Sequence, residues 1–385
     1  MSGKKTIDYR FKILYALAII MVVWSHIDTN QQSPLRLWLP YNSIQLAIFA
    51  FSSGYFFKLA AVDKLGAYTA KKFRNLIIPM YLYNFAYAAV VLASQFLGFH
   101  IGGYVTAEAL WLSPLYNGHQ FYYNLGSWFV VPLFLIETGY AAYRSLVRAT
   151  HQRSPEWVHF ALFFALGMLG NALAGAGFNT GWWLLLCRTL YFVPFYAFGV
   201  WYRASLEERD QLPAWAYLLF VPVFFVILHQ IFGFVPDYNP VWCNNFVNGP
   251  LLPFILGLAG IFFFFKLASL LEPHIGRARL VNLIADHTYS IMVNQFLGLL
   301  LVKAIFGQIY LHTHLFPDFN WQAYHTDIWY YYLPGGHSAW MLLYFCAGVS
   351  VPILIQWLLD RATRFIFRPI IPHPKFHRQN RQSVV

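Results

Sequence analysis

Charge is scarce along this chain. Charged residues make up 11% of its 385 residues, whereas typical globular proteins carry about 25%. The basic residues recur in short groups between apolar runs and do not gather on one face or arm, as they do in proteins that bind nucleic acid. Hydrophobic residues reach 59% of the chain and aromatic residues 20%. This composition argues against a soluble enzyme, a disordered chain and a nucleic-acid-binding protein.

Cysteine is also rare. The three cysteines, Cys187, Cys243 and Cys346, form neither a disulfide framework nor the spacing of a metal site. Cys187 and Cys346 lie inside apolar runs, where we expect them to serve as small hydrophobic residues. The sequence therefore predicts no metal site, because the pair formed by His312 and His314 is by itself a weak signal.

A cleavage site is missing after the first apolar run. The chain begins like a signal peptide, with a basic start and an apolar run from Ile13 to Val23. It then continues as Val-Trp-Ser-His-Ile-Asp, which contains no small-x-small cleavage site. We therefore predict a retained first helix, with a cleaved signal peptide as the alternative.

Long apolar runs are what the chain has in abundance. A helix needs roughly 20 mostly apolar residues to cross the hydrocarbon core, and a membrane strand only about 9–11. The runs exceed strand length and lack the alternation of a barrel. We predict an all-α polytopic bundle of about ten transmembrane helices in residues 1–360, followed by a basic cytoplasmic tail in residues 361–385. The predicted spans lie near residues 13–29, 38–57, 76–97, 125–143, 157–176, 182–201, 214–234, 249–271, 281–306 and 339–359.

The basic residues predict the orientation of the bundle. Lysine and arginine occupy the N-terminal segment, alternate connections and the tail, whereas the opposite connections hold only Arg36. Because cytoplasmic loops carry the excess of lysine and arginine, we predict that both termini are cytoplasmic. The densest internal basic cluster comprises Lys58, Lys64, Lys71, Lys72 and Arg74.

A few polar side chains lie inside the apolar runs, where a charge costs several kcal/mol. His26 lies roughly 20 Å from the cytoplasmic edge of the first span, counted at about 1.5 Å per residue. An imidazole there can act as a general base, or it can form a structural bond between helices. For Glu137, Arg188 and Asn294, a structural bond between helices is likewise the alternative to a chemical role. Arg188 has two further options, which are pairing with Glu137 and holding an anionic group.

Glycines recur in the fifth predicted span and just after it, at Gly167, Gly170, Gly175 and Gly177. No strand precedes them, so the series does not resemble a nucleotide-binding loop. We predict that these glycines allow close packing between helices.

The first span carries a pattern with a known counterpart. Residues 15–26 read Tyr-Ala-Leu-Ala-Ile-Ile-Met-Val-Val-Trp-Ser-His, which resembles the first-helix signature of the acyltransferase 3 family. These are multi-span membrane enzymes that move acyl groups onto extracytoplasmic sugars. Four further elements resemble the family's elements and follow the family's order. They are Ser52-Ser53-Gly54-Tyr55, the basic run from Lys71 to Pro79, Ser127-Trp128-Phe129-Val130, and the stretch from Arg188 to Phe195 closing at Gly199.

Two positions depart from the family's pattern. The family usually has arginine or lysine eleven positions before the histidine, where this chain has Tyr15; Arg10 and Lys12 are the residues that would compensate. Where many members read Ile-Tyr-Leu-x-His, residues 291–295 read Ile-Met-Val-Asn-Gln. Gln295 implies either that a late-helix histidine is not required or that the activity is altered.

The resemblance implies a chemistry. An acyl-CoA donor, usually acetyl-CoA, arrives from the cytoplasm, a sugar hydroxyl accepts the acyl group outside, and no cofactor is permanently bound. His26 is then the catalytic residue, either as general base or as transient acyl carrier. Basic residues attract the CoA phosphates, although an ordinary positive-inside anchor explains Lys58 and Lys64. The residues assigned to acyl-CoA are Arg74, Lys72, Lys71, Tyr15 and Arg10. The residues assigned to an oxyanion or to acceptor positioning are Ser53, Trp128, Glu137, Arg188 and Asn294.

Two predicted outer segments, residues 100–123 and 312–337, are rich in aromatic residues. Aromatic faces stack on sugar rings, and an interfacial aromatic belt is the alternative. We expect replacement of Trp321 and Trp329 to weaken use of the acceptor.

The leading interpretation is therefore a bacterial inner-membrane O-acyltransferase that modifies an exported glycan such as exopolysaccharide, cellulose or lipopolysaccharide. Its expected partners are membrane lipid, the glycan acceptor and glycan synthase or export proteins. One alternative is a transporter or flippase for a lipid-linked sugar or small anion, although no inverted repeat is evident. Another is a non-catalytic membrane subunit of a glycan synthase.

Overall fold

The fold is entirely helical. The computed structural model describes residues 7–28, 37–151, 154–313 and 315–367. This part of the chain is 77% helix and contains no strand, which confirms the predicted all-α class. The helices are α1 (Tyr9–Ile27), α2 (Tyr41–Tyr55), α3 (Leu65–Lys72), α4 (Ile78–Phe96), α5 (Ala107–Trp111), α6 (Ser113–Tyr116), α7 (Val130–Ala149), α8 (Glu156–Gly175), α9 (Gly181–Trp201), α10 (Ala214–Phe232), α11 (Leu251–Ile275), α12 (Arg279–Asp286), α13 (Thr288–Thr313), α14 (Trp321–Thr326) and α15 (Met341–Phe367).

Eight helices in the described part of the chain are long and apolar enough to cross a membrane. The protein is therefore a multi-pass membrane protein. Two of the ten predicted spans do not qualify. At the second, α2 has 15 residues, or about 22 Å against a hydrocarbon core of about 30 Å. At the fourth, α7 begins only at Val130 and carries Glu137, Arg144 and Arg148 along its length.

The predicted boundary of the C-terminal tail falls inside a helix. Residues 361–367 continue α15, and residues 368–385, which hold the remaining basic residues of that tail, lie outside the described residues. Arg36, the basic residue predicted in an outer connection, also lies outside them.

Local chemistry sets several helix ends. The Asp8 side chain accepts a hydrogen bond from the Arg10 main-chain N–H and so caps the start of α1. Gly233 ends α10 in the left-handed conformation that glycine adopts without strain. A single π-helical turn, Phe73–Ile77, joins α3 to α4, next to Pro79, which has no N–H to continue the regular ladder.

Close packing brings α2 and α9 to the centre of the bundle beside α1. A Cβ at Gly54 of α2 would overlap the Tyr196 carbonyl of α9, and one at Gly199 of α9 would overlap the Phe51 carbonyl of α2. Small residues at both positions let the two backbones approach. Gly167 and Gly170 of α8 face α9 in the same way, which confirms the predicted packing role of these two glycines.

The two ends of the bundle differ in composition. We call the end where α1 begins and α2, α7 and α9 finish the basic end, and the opposite end the aromatic end. Side-chain ion pairs between described residues lie at the basic end, apart from one between Lys72 and Glu137 deeper in the bundle. The pairs at the basic end are Arg10–Asp8, Arg10–Glu207, Lys12–Asp286, Arg144–Glu156, Arg148–Asp63 and Lys266–Asp210.

Candidate functional site

A cavity of about 230 Å³ lies at the aromatic end. It is smaller than the roughly 300–1,000 Å³ typical of pockets for drug-sized ligands. The end of α1, the start of α2, α13 and three loops form its wall. The lining residues are Val22, Ser25, His26, Asn42, Gln45, Leu46, His119, Leu125, Gly126, Trp128, Asn239, Val241, Trp242, Met292 and Trp329.

His26 lies in the last turn of α1 and lines this cavity. Its Nδ1 is 2.7 Å from the Val22 carbonyl oxygen. Because a carbonyl can only accept, Nδ1 carries the proton in the neutral imidazole, and Nε2 holds a lone pair. The ring stacks on Trp329, with centroids 6.0 Å apart, and meets the edge of Phe296. The geometry therefore presents an imidazole that can take a proton at Nε2.

Gln295, the departure from the family's late-helix histidine, lies beside the His26 ring. Its side chain is fully buried in α13, and its Nε2 donates to the Met292 carbonyl at 3.1 Å. Gln295 is thus a direct neighbour of the candidate base.

Arg188 of α9 is buried behind the cavity wall. Four of its five N–H groups donate to main-chain carbonyls: Nε and Nη2 to Val241, and Nη1 to Tyr116 and Asn117. The remaining N–H of Nη2 faces His119 Nδ1, 3.3 Å away. The guanidinium therefore joins the loop after α6 to the loop between α10 and α11. No donor is left for an anionic ligand.

Two expectations for Arg188 are consequently corrected. It does not pair with Glu137, which binds Lys72 instead at 2.6 Å. Its guanidinium contacts two residues of the cavity lining, His119 and Trp128, and the Trp128 ring centroid lies 4.7 Å from the guanidinium carbon. Arg188 thus supports Trp128, which does line the cavity as an acceptor-positioning residue would.

His119 is a cavity residue that the sequence did not nominate as catalytic. It is buried, and its ring stacks on Trp242 with centroids 4.6 Å apart. Burial, together with the nearby Arg188 charge, holds the pKa of His119 well below its usual range. The imidazole is therefore neutral. Its only sequence signal was a place among the aromatic residues of 100–123.

A buried carboxylate fixes the start of α2 at the cavity. Asp237 accepts from the Asn42 and Ser43 main-chain N–H groups, from the Asn42 amide at 2.8 Å and from the Ser43 hydroxyl at 3.0 Å. Burial raises the pKa of Asp237 to about 6, against the lowering effect of these donors. The carboxylate therefore docks the loop between α10 and α11 onto the N-terminus of α2.

Four predicted site residues, Lys72, Glu137, Ser53 and Tyr15, form a second cluster away from the cavity. Lys72 binds Glu137, with Ser53 beside the Glu137 carboxylate. Tyr15 stacks on Phe49 with centroids 5.6 Å apart. It also lies close enough to Glu137 for an electrostatic interaction. None of these residues lines the His26 cavity, so the structure does not bring Ser53 or Glu137 to the candidate base.

The remaining predicted residues are distributed over the bundle. Asn294 accepts from the Tyr87 hydroxyl at 2.8 Å and donates to the Ser290 hydroxyl at 3.0 Å, which is a structural arrangement between helices. Arg10 binds Asp8 and Glu207, and Lys12 binds Asp286, so both basic residues near Tyr15 are paired with carboxylates. Lys71 and Arg74 are exposed and have no polar side-chain partner among the described residues.

No group of three histidine, cysteine or acidic side chains that could hold a metal ion occurs within residues 7–28, 37–151, 154–313 and 315–367. His314, half of the weak His312–His314 signal, lies outside these ranges. No family profile matches this chain, and neither a curated protein nor a solved structure matches it.

Proposed function

We propose that this protein is a membrane O-acyltransferase that moves an acyl group from acyl-CoA onto a sugar hydroxyl, with His26 as general base. The observation that carries the proposal is the His26 imidazole, whose Nδ1 lies 2.7 Å from the Val22 carbonyl oxygen and whose ring lines a cavity. A base of this kind can accept a hydroxyl proton in the transition state.

The cavity lining supports a sugar as acceptor. Trp128, Trp242 and Trp329 line it together with the polar side chains of Asn42 and Gln45. Flat aromatic faces and a few convergent polar groups are what recognition of a small polar ring requires. Of the predicted oxyanion donors, Trp128 lies in this lining, whereas Ser53 and Asn294 do not.

The basic end supports an anionic donor. Lys71 and Arg74 have no carboxylate partner among the described residues, so their charges remain available to CoA phosphates. Arg10 is less suited, because Asp8 and Glu207 already neutralise it. Lys72 and Glu137 form an ion pair near Tyr15, between this end and His26.

Under this proposal, the two ends of the bundle face different compartments. The basic end faces the cytoplasm under the positive-inside rule, the aromatic end faces outward, and both termini are cytoplasmic. The membrane in question is the bacterial inner membrane, where acyl-CoA lies on one side and an exported glycan such as exopolysaccharide, cellulose or lipopolysaccharide lies on the other. Glycan synthase or export proteins are the expected partners.

The experiment uses the purified full chain in nanodiscs with labelled acetyl-CoA and a panel of oligosaccharides. We expect labelled ester on an oligosaccharide, in excess of protein-free nanodiscs. A parallel assay in proteoliposomes measures uptake of labelled sugar. Uptake without ester formation would establish the transporter instead, and neither activity would favour a non-catalytic subunit of a glycan synthase.

A further inference from the structure

A second cavity, of about 580 Å³, lies at the basic end, where α7 finishes and α8 begins. Its volume falls within the roughly 300–1,000 Å³ typical of ligand pockets. Among the described residues, no carboxylate side chain lines it, and its polar lining comprises Arg144, Arg148, His151, Ser154 and His159. We propose that this cavity binds the phosphate group of an anionic membrane phospholipid. The inference holds whether or not the protein transfers acyl groups.

Of the two arginines that line the cavity, Arg148 is the one whose partner can be exchanged. Its ion pair with Asp63 joins side chains that are 63% and 49% exposed, and surface pairs of this kind contribute little to stability. Arg144, in contrast, is buried and binds both carboxylate oxygens of Glu156, at 2.6 and 2.8 Å. A phosphate can therefore replace Asp63 as the partner of Arg148, while Arg144 stays in its structural ion pair.

His151 follows α7 at the rim of the cavity in an unfavourable backbone conformation. Its φ is +54°, and its main-chain N–H donates to the Arg148 carbonyl at 3.1 Å. Glycine is the usual residue at this position after a helix, because it has no Cβ to be crowded there. The His151 side chain is exposed, so packing in a core does not account for it. At the rim, its imidazole can donate a hydrogen bond to a phosphate oxygen.

His159 has a structural role in the wall of the cavity. It is buried in α8, and its Nδ1 lies 2.9 Å from the Tyr143 hydroxyl of α7. The ring also forms a hydrogen bond with the main chain of Ser154. These bonds join α7, the loop and α8 behind the cavity. The wall is thus held in place independently of the pair between Arg148 and Asp63.

The remaining side of the cavity is apolar and continues onto an apolar surface. Leu59, Val62 and Val147 complete the lining. Leu59 is exposed, as are Leu146 of α7 and Trp157 in the first turn of α8, and tryptophan is enriched at the membrane–water interface. Basic pockets between helices at this depth bind anionic lipid headgroups. The phosphate then lies at Arg148, and the acyl chains follow the exposed apolar side chains.

The binding experiment titrates the purified full chain in a non-ionic detergent and counts bound lipid by native mass spectrometry. The probes are a phosphatidylglycerol and a phosphatidylcholine, with CoA added as a competitor in a third arm. We expect phosphatidylglycerol to bind more tightly, because its headgroup carries a net negative charge, and we expect CoA not to displace it. Equal affinity for the two lipids overturns the inference. Displacement by CoA also overturns it, because the cavity would then belong to the acyl donor.

Two variants change the affinity for phosphatidylglycerol in opposite directions. Arg148→Gln should weaken binding about tenfold, the effect of losing one hydrogen bond to a charged group. Asp63→Asn should strengthen binding about two- to fivefold, because it removes the carboxylate that competes with the phosphate for Arg148. Misfolding does not produce a gain of affinity, so a weaker or unchanged Asp63→Asn contradicts the inference directly.

The matched control is Arg209→Gln, which removes the same charge from an exposed arginine of the basic end outside the cavity. We expect it to leave the affinity unchanged. A loss as large as that of Arg148→Gln would show a general attraction of lipid to the basic end and would overturn the site.

His151→Gly separates binding from stability. We expect the affinity for phosphatidylglycerol to fall about two- to fivefold with the loss of one hydrogen bond. The unfolding temperature should be unchanged or higher, because glycine adopts this backbone conformation without strain. An unchanged affinity refutes the part assigned to the imidazole. Absence of acetyl transfer by the unmodified chain refutes the proposed function and leaves these lipid measurements as they are.

Discussion

The two ends of the bundle hold their cations in different ways. At the basic end, Arg144 binds Glu156 and Arg148 binds Asp63. At the aromatic end, Arg188 bonds to main-chain carbonyls of two loops, and Lys303 bonds to the Ile328 carbonyl. Carboxylate pairs neutralise charge locally, whereas cation–carbonyl bonds fix the path of a loop. The difference indicates that the aromatic end is built to position loop residues around a cavity.

The largest expected effect is the loss of Arg188. Arg188→Leu leaves three main-chain carbonyls without their donor, and each unpaired buried group costs about 1–3 kcal/mol. Relief from burying a charge offsets part of this cost. We expect a destabilisation of several kcal/mol, measured as a lowered unfolding temperature in detergent. An unchanged unfolding temperature would mean that the aromatic end does not depend on this side chain.

Lys303 should show a smaller effect of the same kind. Lys303→Met removes bonds to the Ile328 and Asp327 carbonyls, at a cost of about 1–3 kcal/mol per unpaired group, but it also removes a fully buried charge. We expect a smaller fall in unfolding temperature than for Arg188→Leu and faster proteolysis of the loop that carries Trp329. A fall as large as that of Arg188→Leu would contradict this ranking.

Substitution of Trp329 tests whether use of the acceptor depends on contact with the cavity or on aromatic residues in general. Trp329 lines the cavity, whereas Trp321 packs on Tyr310 and His325 outside it. We expect Trp329→Ala to raise the acceptor KM about two- to twelvefold, since an aromatic stacking contact contributes about 0.5–1.5 kcal/mol. Trp321→Ala is the comparison, with a smaller expected rise. Equal KM values for the two variants would show that the cavity does not define the acceptor site.

The smallest expected effect is at the basic end. Arg148→Gln breaks an exposed pair with Asp63, and such surface pairs contribute about 0–1 kcal/mol. We expect an unfolding temperature close to that of the unmodified chain at physiological salt. A destabilisation matching that of Arg188→Leu would remove the distinction between the two ends.

Helix positions were largely predictable because apolar composition over a window reports membrane-spanning helices directly. The exceptions have physical causes. The apolar span predicted at residues 125–143 included the short 3₁₀ turn Ser127–Phe129, which precedes α7. The apolar span predicted at residues 38–57 included residues on both sides of α2, which are apolar but not helical. Composition records hydrophobicity, whereas helix ends depend on individual hydrogen bonds.

The site was less predictable, because it is assembled from contacts between distant residues. His26 could be nominated from its depth and from its motif. The partners of Arg188 lie 53 to 72 positions away in sequence, and no local pattern connects them. His119 was hidden for the same reason, since its significance depends on Arg188 and on a cavity formed by three loops.

The central claim is that His26 takes the proton of the acceptor hydroxyl. The direct measurement is the rate of labelled acetyl transfer by His26→Ala at equal amounts of monodisperse protein, compared with the unmodified chain and with His274→Gln, at an exposed histidine of the basic end. We predict a loss of about 10²- to 10⁴-fold for His26→Ala and none for His274→Gln. A folded His26→Ala variant that transfers acetyl at the unmodified rate would contradict the account.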